Sequence, residues 1–186
     1  KPYEATNHQC LECGWFTMTM EGRYTLEEVN EIRYEYDEDS KPLKELKKID
    51  FVERKTQERK TLDKVKDWLD NCDYIIGHNI LGFDIYLIKY MYERIGESYD
   101  HLMDKIIDTN CVAKGIKIGP NYDPETSFLV YQYKVGGVRK KGVKTNLQAL
   151  GKEYKIEHDY ENLHDAVNDL ELNLKVWNKL KWQIDL

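Results

Sequence analysis

Asp73-Tyr74-Ile75-Ile76-Gly77-His78-Asn79-Ile80-Leu81-Gly82-Phe83-Asp84 is the stretch whose reading decides the fold. It opens with a short apolar run over 73–77, the pattern of a buried strand. The run passes without a linker into a segment from about Leu81 to Ile95 with apolar residues at helical spacing, and Gly96 is placed to end that helix. A strand feeding directly into a helix is the building unit of an α/β domain. On a helical wheel Phe83, Leu87, Tyr90, Met91 and Ile95 form the apolar arc, and Asp84 falls inside it. A carboxylate in such a place costs several kcal/mol of desolvation unless something positive meets it.

A second stretch repeats the anomaly. Asn162-Leu163-His164-Asp165-Ala166-Val167-Asn168-Asp169 opens a helix expected from about Leu163 to Leu180, with Asn162 as its N-cap. Ala166, Val167, Leu170, Leu174 and Trp177 make its expected core face, and Asp169 lies at the border of that face. Two carboxylates at apolar borders, with a histidine five residues before the second, suggest a divalent-metal site beside a titratable base. Read alone, His164 is a first-turn surface histidine, and only its spacing to Asp169 argues for more. Asp165 reads as a capping residue, and His78 as a structural histidine at a strand end.

Working outward, residues 10–20 and 23–37 are β-prone on either side of Glu21-Gly22, the signature of a hairpin. Residues 37–60 are strongly charged and read as loop. Thr61 caps a short helix with Leu62, Val65, Trp68 and Leu69 on one face. Lys105-Ile106-Ile107-Asp108-Thr109 reads as another strand end. Residues 127–144 read as a second hairpin with Gly136-Gly137 at its tip, after which Thr145 or Asn146 caps a helix through Leu147 and Leu150. This order of elements points to an α/β domain with a mixed sheet.

The 186 residues are 41% apolar, 33% charged and 12% aromatic, with fourteen tyrosines. That describes a single globular domain and argues against disorder. No apolar run reaches the roughly 18 residues of a membrane span. The net charge of −6 does not suit a protein that coats nucleic acid. It is compatible with an enzyme that grips a strand end through metal ions and a few local cations. The candidate basic spots are Arg54-Lys55, Arg59-Lys60, and Arg139-Lys140-Lys141 with Lys144, each of which also reads as an ordinary solvated face. Cys10, Cys13, Cys72 and Cys111 lack a second zinc-type pair and read as reduced thiols of a cytoplasmic protein.

The two anomalous stretches resemble the second and third motifs of the DnaQ-like 3′–5′ exonucleases, in the DEDDh subgroup whose general base is histidine. The second motif is Asn79-Ile80-Leu81-Gly82-Phe83-Asp84 after Gly77-His78, and the third is His164-Asp165-Ala166-Val167-Asn168-Asp169. Ile107-Asp108-Thr109 and Asn146-Leu147 through Leu150 look like the connecting elements of that family, in the expected order. The resemblance implies a ribonuclease-H-like fold, a mixed sheet flanked by helices, and one DnaQ-like domain over the chain. It implies that Asp84 and Asp169 hold metal, that His164 is the general base, and that Asn79 and Phe83 touch substrate. The implied cofactors are two Mg²⁺ or Mn²⁺ ions, for which hard carboxylate oxygens are the suitable donors. The implied partner is a single-stranded or 3′-ended nucleic acid, DNA rather than RNA, with a polymerase or other replication protein as a further possible partner and no membrane.

One departure matters. The Asp-x-Glu first motif of the family is not found. Either Cys10-Leu11-Glu12 is a degenerate version of it, or Cys10 to Met20 is the family's second strand, with Glu12-Cys13-Gly14 at its usual place and the first strand expected upstream of Lys1. A chain without the motif is expected to bind metal weakly and to cut poorly or not at all. Two other classes therefore stay open: a degenerate domain that binds nucleic acid without cutting it, and a docking domain for a replication partner. Strand affinity without Mn²⁺-dependent cleavage identifies the first, and absence of any strand binding the second.

Overall fold

The computed structural model describes residues 17–18, 24–25, 63, 65–163 and 166–184. β1 (Thr17–Met18) pairs antiparallel with β2 (Tyr24–Thr25), Thr17 opposite Thr25 and Met18 opposite Tyr24. This matches the hairpin expected around Glu21-Gly22, while the rest of 10–37, including Cys10, Glu12 and Cys13, lies outside the described residues. Residues 65–71 are helical (α1). β3 (Ile75–Gly77) runs through the 3-10 turn Ile80–Gly82 into α2 (Asp84–Arg94), and the 3-10 segment Asp100–Lys105 leads into β4 (Ile106–Asp108). Four helices follow: α3 (Thr109–Ile118), α4 (Phe128–Gly136), α5 (Leu147–Glu153) and α6 (Ala166–Leu180). No helix among the described residues is long and apolar enough to cross a membrane.

β3 and β4 are parallel, with Ile75 opposite Ile106, Ile76 opposite Ile107 and Gly77 opposite Asp108. Successive strand residues point to opposite faces, so this register sorts the isoleucines into two layers. Ile75 and Ile106 pack with Ile85, Met91, Tyr92 and Leu102 on one face. Ile107, with Ile76 against it, packs with Val112, Leu150, Leu172 and Val176 on the other. Apolar cover on both faces is what parallel strands require. The architecture is α/β. The described strands form two separate two-stranded sheets rather than the single mixed sheet expected from the sequence.

The segment read as a second hairpin holds no strand: Phe128–Gly136 is helical and 137–144 is turn and loop. Ser127 caps α4 by accepting the Val130 N–H, and Tyr131, Gln132 and Val135 are buried along one side. The β-prone Phe, Val and Tyr of this stretch misled the sequence reading because tertiary burial, not intrinsic propensity, decides such short apolar runs. Gln132 ties this helix to β4. Its side chain accepts the Asp108 N–H at 2.6 Å and donates to the Ile106 carbonyl at 2.9 Å. One amide thus stands in for a neighbouring strand and covers the β4 edge opposite β3. Gln132→Leu keeps the volume but orphans two buried backbone groups, at about 1–3 kcal/mol each. Urea unfolding is expected to show a loss of roughly 2–6 kcal/mol on that basis, and a loss within experimental error of zero would refute the edge-covering role.

Two helical faces also differ from the wheels. On α2 the buried residues are Ile85, Met91 and Tyr92, whereas Phe83 and Ile95 of the expected arc are 43% and 47% exposed. The helix starts at Asp84, three residues later than expected, and its end is as foreseen. Gly96 N–H donates to the Glu93 carbonyl and Glu97 N–H to the Tyr92 carbonyl, the paired bonds that close a helix at a C′ glycine. On α6 the buried residues are Leu172, Asn173, Val176, Trp177 and Leu180. Leu170 and Leu174 are only half-buried, so the core face expected through them is rotated.

Candidate active site

The C-terminal ends of β3 and β4 meet with Gly77 opposite Asp108. This end of a parallel sheet is where helix N-termini gather and where α/β proteins bind ligands. Gly77 allows the chain to turn back at once, since a Cβ there would stand 2.9 Å from Ile80 Cβ. Asn79 then takes φ 61°, a left-handed conformation that asparagine tolerates better than most residues.

Asp108 organises this corner. It is 1% exposed and N-caps α3 by accepting from Asn110 and Cys111 N–H. Its Oδ1 also accepts the Asn79 N–H at 2.9 Å, and its Oδ2 the Leu81 N–H at 3.1 Å. Burial pushes its carboxyl up, and these four N–H donors oppose the push. Its oxygens are engaged in holding two backbone segments together, so it positions the loop that leads to Asp84.

Asp84 is the first residue of α2 and half-buried. Burial pushes its carboxyl up to about 6; a hydrogen bond from its own backbone opposes this, and the charge of Asp108 adds to it. No basic side chain among the described residues pairs with Asp84. A desolvated hard-oxygen anion beside a second anion is a fitting donor for a divalent cation. Phe83 is exposed immediately before it, and Asn79 is exposed with its side-chain oxygen 3.4 Å from Asn110 Nδ2.

Asp169 lies in the first turn of α6 and is half-buried. It precedes Leu172 by three residues and Asn173 by four, so it continues the buried face of the helix rather than its border. Asn173 Oδ1 lies 2.8 Å from Thr109 Oγ1, which docks this face of α6 beside Asp108. Thr109 Oγ1 also meets His78 Nδ1 at 2.9 Å and the Gly77 carbonyl at 3.2 Å. A polar chain therefore links the ends of β3 and β4 to the helix carrying Asp169. Burial pushes His78 down to about 4 against a backbone hydrogen bond with Thr145, so its ring is neutral near pH 7, as befits a packing histidine. His164 and Asp165 lie outside the described residues. Among the described residues no three His, Cys, Asp or Glu side chains come together as a metal-binding group.

Asp108 was legible in the sequence only as a strand end. Its capping role was available, because Asp precedes the helically spaced Val112, Ala113 and Ile116, but α3 itself was not anticipated. Thr109, Gln132 and Asn173 carry no sequence signal that separates them from ordinary polar residues.

The profile of the RNase T exonuclease family matches residues 31–177, which contain Asp84, Asp108, His164 and Asp169. The chain belongs to this exonuclease family. Membership implies a nuclease acting on nucleic acid, and exonuclease domains of this kind generally use divalent metals. No curated protein and no solved structure gives a significant match.

Proposed function

We propose that this exonuclease-family domain removes nucleotides from the 3′ end of a nucleic acid strand, as a DEDDh-type enzyme. The reading rests above all on Asp84, whose half-buried carboxyl is raised to about 6 beside a second buried carboxylate. Such a site is unfavourable for the chain alone and becomes favourable when a cation occupies it. Asp84 and Asp169 are the proposed holders of Mg²⁺ or Mn²⁺ and sit at the starts of α2 and α6. When bound, the metal supplies positive charge that offsets the negative charge developing on the phosphoryl oxygens.

The remaining work falls to the chain's own groups. His164 is the proposed base that takes the proton of the attacking water, a task histidine suits at neutral pH. Phe83 offers an exposed ring against which a terminal base can stack, a contact on the order of 1–3 kcal/mol. Asn79, on the turn fixed by Asp108, is the proposed donor to the strand. His78 contributes packing and no charge.

Where an Asp-x-Glu pair completes the site, His164→Ala is expected to lower the cleavage rate of a 5′-labelled oligonucleotide by about 10²–10⁴-fold, the contribution usual for a positioned base. Metal affinity, followed by Mn²⁺ titration, is expected to change far less. Cleavage that survives EDTA, or an unchanged rate in His164→Ala, contradicts the mechanism. Products shortened from the 5′ end contradict the polarity.

A further inference from the structure

We propose that residues 137–145, with Lys114 beneath them, form a phosphate-binding strap that grips the nucleic acid strand behind the end being cut. The proposal rests on the exonuclease reading for the identity of the strand and on independent features for the strap. Residues 114–144 hold seven Lys or Arg against two Asp or Glu, a net of +5 in a chain whose total is −6. The sequence showed Arg139-Lys140-Lys141 and Lys144 as a basic run, and the tertiary structure sets Lys114 of α3 beside it.

The strap is fastened at both ends by backbone acceptors. Lys114 Nζ donates to the Gly136 carbonyl at 2.7 Å, and Lys117 Nζ to the Lys144 carbonyl at 2.9 Å. Val143 N–H closes a turn onto the Lys140 carbonyl at 3.1 Å, with Gly142 at φ +84°, where a side chain would be strained. The loop is thereby ordered in advance of any ligand. A pocket of about 240 Å³ opens between it and α3, lined by Lys114, Val138, Arg139, Lys140, Val143 and Thr145.

Lys117 has its charge matched by Glu153. Arg139, Lys140, Lys141 and Lys144 are exposed and make no ion pair among the described residues. A packed acidic protein gains nothing by clustering unmatched cations on one fastened loop, unless a polyanion offsets their mutual repulsion. The strap also joins the site. The backbone of Thr145, its last residue and part of the pocket wall, lies against the His78 ring, next to Asn79. A strand whose end lies at Asp84 and Asn79 can therefore continue onto the strap through its phosphates, without any reading of base sequence.

The test measures binding and cleavage separately on the full chain. Binding of a 5′-fluorescein oligothymidylate is followed by anisotropy in EDTA, so that chemistry plays no part, across a series of salt concentrations. The triple variant Arg139→Gln/Lys140→Gln/Lys141→Gln is expected to bind at least about tenfold more weakly, with a salt slope smaller by roughly 2 for three lost contacts to a single strand. A control of equal charge change, Lys152→Gln/Lys179→Gln/Lys181→Gln, is expected to lose much less affinity. Equal weakening in both variants, or an unchanged salt slope in the first, overturns the strap. Displacement of the oligonucleotide by polyglutamate of matched charge overturns the nucleic acid as its occupant. A strand bound through the strap by a chain whose Mn²⁺ affinity is unchanged in Asp84→Asn overturns the exonuclease reading and leaves the strap standing. A strand that is shortened but bound equally by both variants does the reverse.

Discussion

Asp84→Asn is expected to abolish Mn²⁺-dependent cleavage while making the metal-free protein more stable at neutral pH. The two effects share one cause. The Asp84 carboxyl titrates at about 6 in the folded chain against an ordinary value of 3.8. Between those values the folded state holds the extra proton, so stability falls as pH rises through about 4 to 6 and stays low above it. At 1.36 kcal/mol per pKa unit the penalty is ~2–3 kcal/mol at most. Asparagine does not ionise and escapes it. Unfolding in urea with EDTA is expected to show the variant more stable than the parent at pH 8, with the two converging near pH 4. Saturating Mn²⁺ is expected to stabilise the parent more than the variant, because metal and proton compete for one carboxylate. Cleavage is expected to drop by more than about 10²-fold, beyond the loss typical of a partner outside the ligand set. A variant that still cuts, or that is less stable than the parent at pH 8, removes Asp84 from the site.

Replacing Asp108 by alanine is expected to damage the fold more than any other single change at this corner. Its carboxylate accepts four backbone N–H groups, from Asn79, Leu81, Asn110 and Cys111. Loss of the α3 cap costs about 1 kcal/mol. Orphaning the Asn79 and Leu81 donors costs about 1–3 kcal/mol each, for a total of roughly 3–7 kcal/mol, a large share of the 5–15 kcal/mol available to an ordinary domain. Asp108→Asn keeps one acceptor oxygen and is expected to lose less. It also removes the neighbouring charge, so the Asp84 carboxyl is expected to titrate lower than in the parent, measurable by NMR titration of the side-chain carboxyl. A thermal or urea midpoint for Asp108→Ala close to that of the parent would show that the loop and α3 do not depend on this carboxylate.

The sequence by itself determined the elements that local chemistry dictates. The strand ending at Gly77, the C′ role of Gly96, and a cap for α5 at Thr145 or Asn146, which the Asn146 side chain supplies to the Ala149 N–H, all rest on residues whose own conformational or capping preference is strong. It also marked Asp84 and Asp169 as misplaced carboxylates, because hydrophobic periodicity exposes an exception wherever it is regular. Which helical face is buried was decided only by the tertiary structure. Both α2 and α6 are turned from their wheels, since a half-buried Leu or Tyr reads the same as a buried one until the partner surface is known. The identity of α4 was decided in the same way. Its apolar run suits strand or helix, and tertiary packing, in which Gln132 satisfies the Ile106 carbonyl and the Asp108 N–H, decided for the helix. The central role of Asp108 and the meeting of Lys114 with the 137–145 loop depend on contacts across 22 to 29 positions of the chain, and no local pattern encodes those.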